Sequence, residues 1–262
     1  MGYLGCADDT VLLSDSRDTL QEILDKAIVE SAKRGLSINY KKTECMVVSK
    51  KLDVPDCRLT VGETEIKQIE KFNYLGSLIT SDGRSDSEIK KRIGMSKANF
   101  EKVGKILKNR QLSMKTKLRI LDCYIFSTLT YGSECWTISQ TIEKRLRSVE
   151  IWFYRRMLRI SWTDHMSNEE VLAKAGTRRK LVETIRKRQL QFLGHVLRKE
   201  ELEDVAITGK IEGKRARGRQ RLTFISSLSH WMKISEKEII RTAKYGELWR
   251  TMAANVLEEQ GT

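Results

Sequence analysis

The chain is short of several things, and each shortage closes a class of explanation. Proline occurs once, at Pro55, so no proline interrupts any helix that follows it. The five cysteines (Cys6, Cys45, Cys57, Cys123 and Cys135) are odd in number and scattered, with no Cys-x-x-Cys pair. That argues against a disulfide framework or a zinc ribbon and leaves buried or free thiols. The three histidines (His165, His195 and His230) are sparse too. No Cys/His cluster has zinc-ligand spacing, so any metal would be bound through oxygen. No run approaches the roughly 18 to 20 apolar residues of a membrane span, and the N-terminus lacks the basic, apolar, small-residue order of a signal peptide. A soluble, intracellular protein with no membrane partner is expected.

What is abundant is positive charge. The 262 residues, enough to bury a real core in one large or two small domains, carry 49 Lys and Arg against 35 Asp and Glu, for a formal charge of +14 and a pI near 9.6. The balance points to a polyanionic partner, most simply nucleic acid, with a membrane surface as the runner-up. The charge is also segregated: residues 84–121 hold 12 basic and 3 acidic side chains, whereas residues 1–70 hold 10 and 13. Residues 174–221 hold 15 basic and 6 acidic, ending in Gly213-Lys-Arg-Ala-Arg-Gly-Arg-Gln-Arg221. Glycines between arginines favour an extended strip that follows a phosphate backbone or enters a minor groove. Lys214, Arg215, Arg217, Arg219 and Arg221 are therefore candidate nucleic-acid contacts, with a solvated loop as the alternative.

The hydropathy pattern predicts an α+β chain. At the start, apolar residues flank Asp8-Asp9, as expected for two short strands joined by a tight turn with the acids at its tip. Two carboxylates on a hairpin can share Mg²⁺, although Asp-Asp at a turn is also ordinary turn chemistry. A helix capped by Ser14 or Ser16 runs to about Arg34 and stops at Gly35. Strands are expected at 36–38, 45–48, 58–61, 64–67 and 72–79, forming a small sheet with that one helix packed on it. From about Ser85 the period becomes helical, with helices over 86–109, 113–137 and 140–160, then a capped start at Ser167-Asn-Glu-Glu170 and helices near 178–200 and 235–258. This gives expected regions of 1–82, 83–165 and 166–262. Trp136, Trp152, Phe153, Tyr154, Trp162, Trp231 and Trp249 could stack on bases, but helical spacing such as Leu146, Val149, Trp152 and Phe153 favours a core role. His195 reads as a partly buried packing residue.

Three blocks then stand in a recognisable order. Cys6-Ala-Asp-Asp9 followed by Thr-Val-Leu-Leu, Gly35-Leu-Ser-Ile-Asn39-Tyr-Lys-Lys42-Thr43-Glu44, and Phe72-Asn-Tyr-Leu-Gly76 resemble the C-terminal half of the palm of a non-LTR retrotransposon (LINE-type) reverse transcriptase. Tyr131-Gly-Ser-Glu-Cys-Trp136, Arg155-Arg-Met-Leu158, Phe192-Leu-Gly-His-Val-Leu197 and the Gly213 strip resemble the thumb and downstream region of such elements. The resemblance implies RNA-directed DNA synthesis on an RNA template with a DNA primer. Asp8 and Asp9 would be Mg²⁺ ligands, Lys42 a proton donor to the leaving pyrophosphate, and Tyr74, Leu75 and Gly76 would lie beside the primer end. Cys6 replaces the family's Tyr or Phe. The fingers and a third metal-ligating Asp precede this hairpin in the family, whereas seven residues precede Asp8 here. The expectation is a palm remnant followed by a helical thumb-like region and a basic helical region, inactive as a polymerase by itself, with a nuclear location. The alternatives are a non-enzymatic nucleic-acid-binding protein and a decayed element product.

Overall fold

The structure is a computed structural model that describes residues 2–6, 8–49, 54–199, 202–208 and 221–261, arranged as two compact units, 1–84 and 85–262. The architecture is α+β with mainly helical content.

In the first unit, β1 (Gly2–Cys6) and β2 (Asp9–Leu13) pair antiparallel in a register that sets Cys6 opposite Asp9 and Gly2 opposite Leu13. Helix α1 (Arg17–Lys33) starts at Ser16, whose Oγ accepts from the Thr19 amide, and buries Leu24. The remaining strands are short: β3 (Glu44–Cys45) pairs parallel with β6 (Lys67–Gln68), β4 (Thr60–Val61) antiparallel with β5 (Thr64–Glu65), and β7 (Lys71–Tyr74) antiparallel with β8 (Ser77–Thr80). The expected single small sheet is thus four separate two-stranded sheets. Side-chain amides explain how such short ladders hold. Gln21 of α1 exchanges two hydrogen bonds with the Thr60 backbone (2.8 and 2.9 Å), and Gln68 accepts from the Cys57 amide (2.6 Å) and donates to the Pro55 carbonyl (3.1 Å). Leu24, Cys45, Cys57, Leu59 and Ile66 form the core they surround, with Leu12, Leu20 and Ile28 against it.

The expected strands 45–48 and 58–61 shrink to Glu44–Cys45 and Thr60–Val61, 64–67 splits between β5 and β6, and two others change more. Residues 36–38 form none, because the Leu36 amide wraps back onto the Ser31 carbonyl while Gly35 takes φ +72°, so Leu36 belongs to the end of α1. The expected strand 72–79 is a hairpin, since Leu75 and Gly76 both have positive φ (46° and 80°), the mark of a tight two-residue turn matched to strand twist.

The second unit is helical. Helix α2 (Asp86–Leu107) is followed by α3 (Met114–Ile120), a π-helical turn at Leu121–Phe126, and the single turn α4 (Ser127–Leu129). Ser127, Thr128 and Thr130 each donate a hydroxyl to the carbonyl four residues back, at Cys123, Tyr124 and Phe126. The expected helix to 137 therefore ends early, and the chain turns through Gly132 at φ +68° into a short 3₁₀ segment, Ser133–Cys135. Helix α5 (Gln140–Leu158) starts at Ser139. Helix α6 (Asn168–Ala175) starts in a reciprocal capping box between Ser167 and Glu170, and α7 (Leu181–Lys199) follows. Next come α8 (Leu202–Thr208), α9 (Phe224–Met232), α10 (Glu236–Ala243) and α11 (Gly246–Gly261), so the expected helix at 235–258 is two helices and α9 is an element the pattern missed.

This unit has two cores. One gathers α2, α5 and the start of α7 around Ile89, Phe100, Leu107, Leu146, Phe153 and Ile185. The other gathers the end of α7 with α9, α10 and α11 around Leu193, Leu197, Leu228, Ile239 and Trp249. Between them on α7 lies a buried polar layer. Gln189 donates to the carbonyls of Ser133 (3.1 Å) and Trp136 (2.8 Å), and Arg186 donates to Gln189 (3.1 Å) and Ser227 (3.2 Å) while lying 5.5 Å from the Trp231 ring centre. Burial draws the Arg186 guanidinium down to about 10, against the pull of Glu143.

Candidate functional site

The register, whose last pair is Cys6 and Asp9, places Asp8 in the turn of the hairpin and Asp9 at the strand start beside it, and both are exposed. Exposure extends along the hairpin: Tyr3 is 76% accessible and Leu4 50%. Among the described residues no group of three or more carboxylate, histidine or cysteine side chains could hold a metal ion. Lys42 is exposed in a turn built on the Asn39 carbonyl, which accepts from the amides of Lys42 and Thr43 and from the Thr43 hydroxyl (all 3.0 Å). No hydrogen bond or ion pair among the described residues joins it to Asp8 or Asp9. Tyr74, Leu75 and Gly76 sit together at the tip of the β7–β8 hairpin, with Leu75 exposed and held at φ 46°, a conformation a branched side chain adopts at a cost.

Of the basic strip, Lys214, Arg215, Arg217 and Arg219 lie outside the described residues, and Arg221 is exposed just ahead of α9. The better-defined basic surface is α2. Its core side is Ile89, Ile93, Ser96, Phe100, Gly104 and Leu107, spaced so that they fall along one stripe. At 100° per residue, Lys90, Lys91, Lys97, Lys102 and Lys105 fall on the rest of the circumference, and Lys90, Lys102 and Lys105 are exposed. Those three make no ion pair among the described residues. By contrast, Lys91 stands 4.0 Å from Glu88 and Lys108 4.0 Å from Glu101. Lys115 and Arg119 add exposed charge on α3. Over the sequence, residues 1–84 hold 12 basic and 14 acidic side chains, which leaves 37 and 21 of the totals of 49 and 35 to residues 85–262. The second unit thus carries the whole positive excess.

A cavity of about 210 Å³ at the π-helical turn is lined by Asp122, Phe126, Ser127, Thr130, Lys180, Leu181, Thr184 and Arg188. Its cations are already engaged, Lys180 with Asp122 (2.7 Å) and Arg188 with the Thr130 carbonyl (2.8 Å), so it has no free charge to offer an anion. The aromatic residues mostly serve the core, as their spacing indicates: Trp136 and Trp249 are 3% accessible, and Phe153 and Tyr154 are fully buried. Trp162 departs from that reading at 86% accessible. His195 departs as well. It is exposed, because its neighbours Leu193, Gly194, Val196 and Leu197 take the buried face of α7 and leave position 195 on the other side. Cys45 and Cys57 are buried with their sulfurs 3.6 Å apart, and burial, with the neighbouring Cys57, pushes the Cys45 thiol up to about 12. Among the described residues no helix is long and apolar enough to cross a membrane.

Compared with known proteins, the chain is 27% identical over 203 residues to an uncharacterized transposon-derived protein of Caenorhabditis elegans, an alignment that covers 74% of this chain and 71% of that one. No family model and no solved structure matches. The likeness suggests a transposable-element origin.

Proposed function

We propose that this chain is a nucleic-acid-binding part of a non-LTR retrotransposon reverse transcriptase. Residues 85–262 would contact phosphate, and the Asp8–Asp9 hairpin would be a piece of a palm that does not polymerise alone. The observation that carries the reading is the segregation of charge: a helical unit with 37 basic and 21 acidic side chains, on which α2 turns the exposed Lys90, Lys102 and Lys105 away from its core. The three sequence blocks and the transposon-derived relative agree with an origin in such an element.

Binding of the full chain to a 20-base-pair duplex is measured by anisotropy across a salt series. The parent is expected to weaken steeply with salt, and Lys90→Gln/Lys102→Gln/Lys105→Gln to flatten the log–log slope by about 0.9 for each phosphate that the variant no longer neutralises. Replacing Arg215, Arg217, Arg219 and Arg221 tests the strip in the same way. Absence of binding at low salt, or a slope that neither variant changes, overturns the reading.

The palm part is tested by primer extension with Mg²⁺, where no template-dependent product is expected from this chain. Two exposed carboxylates leave a metal pair underliganded. Extension that disappears with Asp8→Asn would show that the site is complete after all.

A further inference from the structure

Trp162 is the most exposed large apolar side chain among the described residues, yet the turn that carries it is tightly built. Helix α5 ends at Arg159 in the left-handed conformation (φ 59°), and the Ile160 amide closes back onto the Arg155 carbonyl at 2.9 Å. Ser161 and Asp164 cap each other across a single 3₁₀ turn, with the Ser161 amide donating to the Asp164 carboxylate at 2.8 Å. His165 is again left-handed (φ 48°). From beneath, the Arg155 guanidinium donates to the Met166 carbonyl (2.6 Å) and to Asn168 (3.2 Å), and Ile160 and Met166 rest on the core on either side. The indole at the tip is therefore held out by a rigid frame, at the expense of the large apolar area that a tryptophan buries elsewhere. Two non-glycine residues in the left-handed region bracket it, a strain that persists where the surroundings enforce it.

The charge around the indole is positive. Arg156 and Arg159 are exposed and make no ion pair among the described residues, while Asp164, in the same turn, is committed to its cap. Arg156 also lies 5.3 Å from the ring centre of Trp152, on which Lys97 stands too, at 4.9 Å. An exposed aromatic plane with arginines within six residues of it offers a base its face and the adjoining phosphates their counter-charges. Paired bases in a duplex hide their faces, so the matching partner is a single strand.

We infer that the Ser161–Asp164 turn is a contact for single-stranded nucleic acid, with one base stacked on Trp162 and the flanking phosphates on Arg159 and Arg156. This rests on the nucleic-acid-binding reading of residues 85–262. The test compares a 20-nucleotide oligothymidylate with a 20-base-pair duplex on the full chain. Trp162→Ala is expected to weaken single-strand binding at least fivefold with the salt slope unchanged, while duplex binding stays within twofold and Trp162→Phe retains most of the affinity. Arg159→Gln should lower the single-strand salt slope by about 0.7. Unchanged circular dichroism accompanies each variant, because the side chain is outside the core. Single-strand binding that Trp162→Ala leaves intact overturns the inference alone. Equal losses on both probes overturn it too, and a chain that binds neither probe overturns the parent reading with it.

Discussion

Trp249→Ala is expected to destabilise residues 85–262 by about 3–5 kcal/mol, the usual cost of emptying a buried tryptophan site. The indole lies in the second core, 3% accessible, and its Nε1 donates to the Leu190 carbonyl of α7 at 2.9 Å. It reaches that carbonyl because residue 194, one turn further along α7, is glycine. A Cβ there would stand 2.5 Å from both Cδ1 and Nε1 of Trp249 and 2.9 Å from the Arg198 guanidinium. Glycine inside a helix costs about 1 kcal/mol against alanine, so its use here trades helix propensity for the approach of the ring. Gly194→Ala is accordingly expected to lower stability by about 1–3 kcal/mol instead of raising it. The clash can be separated from a general intolerance of change. In a Trp249→Leu background, Gly194→Ala should cost less than in the parent, because the two positions touch each other directly. Urea unfolding of the four proteins gives the comparison, and equal costs in both backgrounds would remove the approach of the Trp249 ring from the account.

Glu150→Ala should come close to the same size, about 3 kcal/mol, from a different source. Glu150 is fully buried on α5, and its Oε1 accepts from the amides of Lys180 (2.8 Å) and Leu181 (3.1 Å), where α7 begins, and from the Tyr154 hydroxyl (3.3 Å). Helix α7 thus takes its N-terminal cap from another helix, and a carboxylate there also meets the positive end of the helix dipole. Alanine would strand two amides in the interior. For a unit of this size the loss corresponds to about 2–4 °C in Tm per kcal/mol.

The pH dependence has a definite sign. Burial raises the Glu150 carboxyl above its ordinary range, against the hydrogen bonds from Lys180, Leu181 and Tyr154 and the charge of Arg179. The folded protein therefore holds this proton more tightly than the unfolded chain. The contribution to stability is greatest below the unfolded carboxyl pKa of 4.5 and declines as pH rises through the folded value. Glu150→Gln keeps an acceptor for the two amides and removes the titration. It should cost less than Glu150→Ala, and the stability gap between parent and Gln variant should shift against the parent on going from pH 4 to pH 7. A gap that is flat with pH would mean that Glu150 does not titrate differently in the two states.

Much of the chain was legible in the sequence because the signals are local. Ser16 and Ser167 cap the helices they precede, Gly35 ends α1, and the apolar flanks of Asp8-Asp9 make a hairpin. Each depends on residues within a turn of one another, where spacing alone decides geometry. The charge division between the two units is legible for the same reason, since it needs only counting. Asp8, Asp9, Lys42 and the Tyr74–Gly76 tip were chosen from sequence blocks, and the structure sets each at an exposed turn or strand end.

What only the tertiary structure decided lies between residues far apart. The Glu150 cap spans 30 positions, and the ring of Trp249 meets α7 across 59. A period of 3.6 marks which face of a helix is buried but not what that face meets, so Glu150 reads as one more charge on α5 and Gly194 as a weak point in α7. Local pattern likewise could not separate Trp162 from Trp249, because both are large apolar residues in or next to helical runs. One has a core to enter, and the other is held away from it by a turn whose constraints come from Arg155 and from the two caps around it.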